Sequence, residues 1–151
     1  MKHLSIVLSL LFGTLFMVSC GNEWEKFEEV DLGFSCVGAD MHKADKSNCN
    51  LTYVGQVSAD GGTITITPNG KNKANGFLSE CHVDGQKYDA AIVQSGILAE
   101  GEWGKVEATS DDRRTTKLTV TPNKTGRTRT FVLTFGAAYT ISTVSIEQPT
   151  K

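Results

Sequence analysis

Lys117-Leu118-Thr119-Val120-Thr121-Pro122-Asn123, followed shortly by Thr130-Phe131-Val132-Leu133-Thr134-Phe135, decides the fold class of this chain. In both stretches polar and apolar side chains alternate, which is the period of a strand with one buried face. Pro122, Asn123 and then Gly126 supply the turn between them. Thr63-Ile64-Thr65-Ile66-Thr67 repeats the pattern and ends at Pro68-Asn69-Gly70, and Ile141 to Ile146 gives it a fourth time. Weaker candidates run over 51–57, 76–83, 90–93 and 103–108, with Asp60-Gly61-Gly62, Asp84-Gly85 and Gly101 as punctuation between them. No segment holds a helical period, and the richness in Thr, Val and Ile opposes one. About seven short antiparallel strands with regular turns predict an all-β sandwich, its Thr and Ser faces wet and its apolar faces buried.

The N-terminus carries a different message. Lys2 and His3 give a basic start, and Leu4 to Val18 is an unbroken run without charge, too short for a comfortable bilayer span. The run ends at Phe16-Met17-Val18-Ser19-Cys20-Gly21, a small residue followed by cysteine. That ending resembles the lipobox of bacterial lipoproteins, although Met17 and Val18 depart from its commonest residues. The resemblance implies cleavage before Cys20 and a lipid on its thiol; the alternative is an ordinary signal peptide. Each buried methylene contributes about 0.8 kcal/mol, so several acyl chains would hold the protein to a membrane. Glu23, Glu25, Glu28, Glu29 and Asp31 then crowd the start of the mature chain. They read as a solvated tether. They also resemble the surface-export signal of Bacteroidetes lipoproteins, which implies an outer-membrane protein facing the cell exterior.

This divides the chain into a signal peptide (1–19), an acidic tether (20–32) and one domain (33–151). Of 15 basic and 17 acidic side chains, cleavage removes only Lys2, and the near balance that remains argues against a nucleic-acid partner. Three cysteines follow Cys20: Cys36, Cys49 and Cys81. In an oxidising compartment two of them are expected to pair, and all three pairings stay open. A zinc site from these cysteines with His42 and His82 lacks the tight ligand spacing such sites show, so no metal is expected.

Leu118-Thr-Val-Thr-Pro-Asn123-Lys-Thr-Gly126-Arg-Thr-Arg129, the strand to Phe135, and Val144-Ser-Ile-Glu-Gln148 together resemble a BACON domain. That family comprises immunoglobulin-like sandwiches of Bacteroidetes surface and secreted proteins. Trp103 falls near the family's usual tryptophan, and Val57 to Ile66 resembles its opening strands. The resemblance covers about residues 55–149, is specific from 103 onward, and matches poorly over 71–100. Residues 30–54 precede the usual start and could add a strand or hairpin. It implies an immunoglobulin-like sandwich with glycan contact or a spacer role. The residues have physical roles without it: Gly126 can take a positive φ, Asn123 can bond its own turn, and Arg129 can fork onto acceptors.

Chemistry is thin. No Gly-x-Ser-x-Gly motif accompanies the histidines, Glu28-Glu29 and Asp111-Asp112 sit in the tether and a turn, and Asp60-Gly61-Gly62 opens no helix for a phosphate. No enzyme activity and no cofactor are expected. Among aromatics that could stack on sugars, Trp24, Tyr53, Tyr88, Trp103 and Tyr139, the tryptophan at 103 reads as core, and Tyr88 and Tyr139 stand beside turns as candidate glycan contacts. The expectation is therefore a lipid-anchored, non-catalytic surface module that contacts glycans. Its alternative is a structural or protein-interaction subunit of a larger surface complex.

Cys20→Ala should release the protein from the membrane fraction or leave an uncleaved precursor. Fractionation with intact mass measurement checks this, and a correctly processed mutant still held on the membrane would refute the lipid anchor.

Overall fold

The computed structural model describes residues 32–44, 52–70, 76–89, 96–108, 114–137 and 140–151. Among them there is no helix. Eleven strands run in chain order as β1 (Phe34–Val37), β2 (Asp40–Lys43), β3 (Tyr53–Gln56), β4 (Gly62–Pro68), β5 (Leu78–Val83), β6 (Gln86–Asp89), β7 (Gly96–Gly101), β8 (Gly104–Ala108), β9 (Thr116–Val120), β10 (Arg129–Ala137) and β11 (Thr140–Gln148). They form two sheets, ordered β1-β4-β9-β8-β7 and β2-β3-β11-β10-β5-β6, neither closed into a barrel. Every pairing is antiparallel except β3 with β11, which is parallel. The four strands legible from clean alternation, β4, β9, β10 and β11, are all inner strands of their sheets. The excess over the expected seven comes from short strands at the margins, above all the four-residue β1, β2 and β6.

Alternation explains the core. Ile64 and Ile66 of β4, Val106 of β8 and Leu118 and Val120 of β9 meet Cys81 and Val83 of β5, Phe131, Leu133 and Phe135 of β10 and Val144 and Ile146 of β11. Their intervening neighbours Thr63, Thr65 and Thr67, or Thr130, Val132 and Thr134, face outward and stay partly wet. Burying one such aliphatic or aromatic side chain contributes roughly 1.5–3 kcal/mol, so the inward set is the main stabilising term.

The registers define two poles. At one, β1 hands over to β2 through Gly38-Ala39, β5 to β6 through Asp84-Gly85, β7 to β8 through Glu102-Trp103, and β9 to β10 through 121–128. Asp84 (φ 50) and Gly85 (φ 84) both take the left-handed backbone that a two-residue hairpin loop demands. Gly38 (φ 93) is required for another reason. A Cβ there would lie 2.1 Å from the Thr63 carbonyl, because the chain crosses from one sheet to the other against β4. At the opposite pole stand the first residues of β1 and the last of β4. The chain is pinned there by Asn69 N–H to Gly33 O (2.9 Å) and Gly70 N–H to Leu32 O (2.7 Å). Leu32 is fully buried, and the ring of Phe34 packs on Tyr53 (5.3 Å) and Phe135 (4.9 Å).

The turn-rich pole is held by a buried polar knot. Asn123 and Gln148 are fully buried, and Arg129 nearly so. Gln148 accepts from Arg129 Nη1 (3.0 Å), and its amide donates to the carbonyls of Thr121 (2.8 Å) and Ala59 (3.3 Å). Asn123 donates to the carbonyls of Arg127 (2.8 Å) and Gln148 (3.0 Å) while accepting from the Thr125 N–H (3.1 Å) and hydroxyl (2.7 Å). Gly126 takes φ 76 within this turn. The turn role expected for Asn123 is thus made. Arg129 reaches the amide of Gln148, a neutral acceptor, rather than a carboxylate.

Gln148→Ala leaves Arg129 and three carbonyls, those of Ser58, Ala59 and Thr121, without this partner inside the protein. A loss of about 3 kcal/mol is expected, the upper range for orphaning buried polar groups. Urea unfolding of the mutant measures it, and a wild-type midpoint would show the knot to be dispensable.

Candidate functional site

The residues singled out by sequence fall into three settings, and the first is aromatic. Trp103 sits in the two-residue β7–β8 turn yet is only 6% exposed. Its ring meets Tyr88 of β6 edge-on at 5.6 Å and Phe131 of β10 at 5.7 Å. Gly101 makes room for it: a Cβ there would lie 2.6 Å from Trp103 Nε1. That buried Nε1 has no hydrogen-bond partner among the described residues. Trp103 therefore closes the gap between the margins of the two sheets as a core residue. Tyr88 leans on it half-buried, its ring paired edge to face with the indole. Tyr53 is buried. Tyr139 and Trp24 lie outside the described residues.

The second setting is thiol. Cys81 is fully buried in β5, and burial pushes its thiol from 9.0 up to about 12, which keeps it protonated and unreactive. Cys36 on β1 is half-buried. Desolvation raises its thiol, partly offset by the Ala39 backbone hydrogen bond. Both are free thiols on opposite sheets, so the Cys36–Cys81 pairing is not made. Cys49 and the lipid-bearing candidate Cys20 lie outside the described residues.

The third setting is charge. Glu80, His82 and Lys87 share the outer face of the second sheet, with Glu80 3.0 Å from Lys87 and 3.4 Å from His82. The Lys87 contact first, and His82 next, hold the Glu80 carboxyl below its ordinary value. All three side chains are partly exposed, so their ion pairs stabilise only weakly. Among the described residues no cluster of three or more His, Cys, Asp or Glu side chains could hold a metal.

One arrangement escaped the sequence reading. On the outer face of the first sheet the registers align Val37, Thr65, Lys117, Glu107 and Ile97 across all five strands. Val37 is 71% exposed and Ile97 48%. They stand at the two margins of the row, with threonines and a Lys105–Glu107 ion pair (2.9 Å) between and around them. The signal was present in the sequence only as an apolar residue out of phase with its strand. It acquires meaning when the strand order brings the two margins into one row.

Trp103→Ala should cost about 3–5 kcal/mol, the usual penalty for emptying an aromatic core site. Thermal or denaturant unfolding measures this. A mutant that melts like the wild type would take Trp103 out of the core.

No protein-family model matches the chain, and no curated protein matches it. Among solved structures, the NMR structure of a protein from Bacteroides thetaiotaomicron is similar in fold. It has 16% sequence identity and a TM-score of 0.52, with 87% of this chain and 98% of that chain covered.

Proposed function

We propose that this is a lipid-anchored, non-catalytic module of a Bacteroidetes-type cell surface that works by protein contact through the outer face of its five-stranded sheet. The observation that carries the reading is the Val37–Ile97 row. A flat, hydroxyl-rich surface with exposed aliphatic side chains at both margins suits another protein's surface better than a small ligand. The bulge between Ile97 and Ala99 interrupts β7 as a template for an added strand, so contact runs through side chains. Carbohydrate contact has less support, because among the described candidates Tyr53 and Trp103 are buried and Tyr88 packs edge-on against Trp103. Catalysis has little, because the Glu80–His82–Lys87 group sits on an open face.

The immunoglobulin-like, BACON-type reading is supported by strand order. Taking β1, β4, β5, β8, β9, β10 and β11 as strands A to G, the sheets run A-B-E-D and G-F-C, the constant-type arrangement. The hairpin strands β2 and β3 flank G, and β6 and β7 extend the other sides. The Bacteroides neighbour fits the same origin.

The double substitution Val37→Lys with Ile97→Lys should leave stability within about 0.5 kcal/mol of wild type, as exposed sites do. Cross-linking on intact cells followed by mass spectrometry should then lose the partner captured by wild type. An unchanged cross-link pattern, or a glycan bound equally by wild type and mutant with no protein captured, would overturn the reading.

A further inference from the structure

We infer that the anchored domain stands upright on its Leu32 pole, turning the Val37–Ile97 face sideways to the membrane. This rests on the lipid-anchor reading above and adds to it an orientation.

The inference starts from where the chain leaves the domain. Leu32 is fully buried, and the backbone pairs Gly33–Asn69 and Leu32–Gly70 fix the exit at the pole where β1 begins and β4 ends. Phe34, wedged between Tyr53 and Phe135, prevents β1 from peeling away to lengthen the leash. From Leu32 back to Cys20 there are only 12 residues, which span at most about 40 Å when fully extended. The longest strands, β10 and β11, have nine residues each and so run about 30 Å between the poles. For the turn-rich pole to touch the bilayer, the tether would have to double back along the whole flank, using nearly all of its reach. With the Leu32 pole down, no such extension is required.

Exposed charge stands at both poles, Lys124, Arg127 and the Lys151–Asp60 pair at the far one and Lys43 at the near one, so the direction comes from the tether. Ile141, 58% exposed, stands one residue past the start of β11, which lies at the Leu32 pole. Upright strands place both margins of the five-stranded sheet along the membrane normal. A partner that reads Val37 and Ile97 together then meets the domain from the side.

The test uses the full-length lipidated chain reconstituted into phosphatidylcholine vesicles that carry an energy-transfer acceptor on a fraction of headgroups. A donor is placed through a non-natural amino acid at position 141 in one sample and at position 124 in another, which avoids the native thiols. Flotation is read first: protein that does not float overturns the lipid anchor and this inference with it. For floating protein, transfer at 141 should exceed that at 124 roughly twofold, given an offset of about 30 Å between the poles. Equal or reversed transfer would overturn the orientation while leaving the anchor intact. Inserting about 20 Gly and Ser residues after Gly21 should erase the difference, since both poles could then reach the surface. A difference that survives the insertion would show that the tether does not set the orientation.

Discussion

Gln148 is where the two sheets are tied together. It ends the central strand of one sheet, takes the guanidinium of Arg129 from the neighbouring strand, and donates to carbonyls of two turns that belong to the other sheet's connections. A sandwich is held face to face mainly by apolar contact, which is non-directional and tolerates sliding. A fully buried amide with fixed donors and acceptors does not tolerate it, because any slip leaves polar groups unsatisfied in a low-dielectric interior. Asn123 performs the same service for the β9–β10 turn. Together they set the alignment of the sheets, and the relative placement of strands on which the Val37–Ile97 row depends follows from that.

The opposite pole is built differently, by Leu32, the Phe34 ring set and two backbone hydrogen bonds. Apolar burial there fixes where the chain enters rather than how the sheets align. The domain thus has a directional, polar end and an apolar end where the described chain enters.

The inner strands could be read from the sequence because both of their constraints are local: alternation sets which face is buried, and Pro-Asn or Asp-Gly sets where the strand stops. Marginal strands carry neither signal. Gln86-Lys-Tyr-Asp89 and Asp40-Met-His-Lys43 are polar at nearly every position, and Gly96 to Gly101 has a bulge that breaks its phase. They are strands because a neighbour supplies hydrogen bonds, a fact no local pattern records. The polar knot was half legible. Asn123 announces itself beside Pro122 and Gly126, whereas Gln148 looks like an ordinary terminal polar residue until the fold buries it. The burial of Trp103 could be anticipated, but the pairing that spends Tyr88 on it could not, since it joins strands from different sheets. The exposed row on the first sheet was not legible at all, because Val37 and Ile97 are far apart in sequence and meet only through strand order.

The parallel pairing of β3 with β11 has a consequence for how the molecule is made. β11 follows all the other described strands in the chain, yet it lies between β3 and β10. Until residues 140–148 are available, β3 and its partner β2 have no sheet to join, and Gln148 cannot close its knot. Sequence-distant contacts of this kind slow folding, because the chain entropy of a long loop is lost before the contacts that repay it are made. The order of the strands along the chain therefore leaves the six-stranded sheet open in its middle, and the two sheets untied, until β11 is in place.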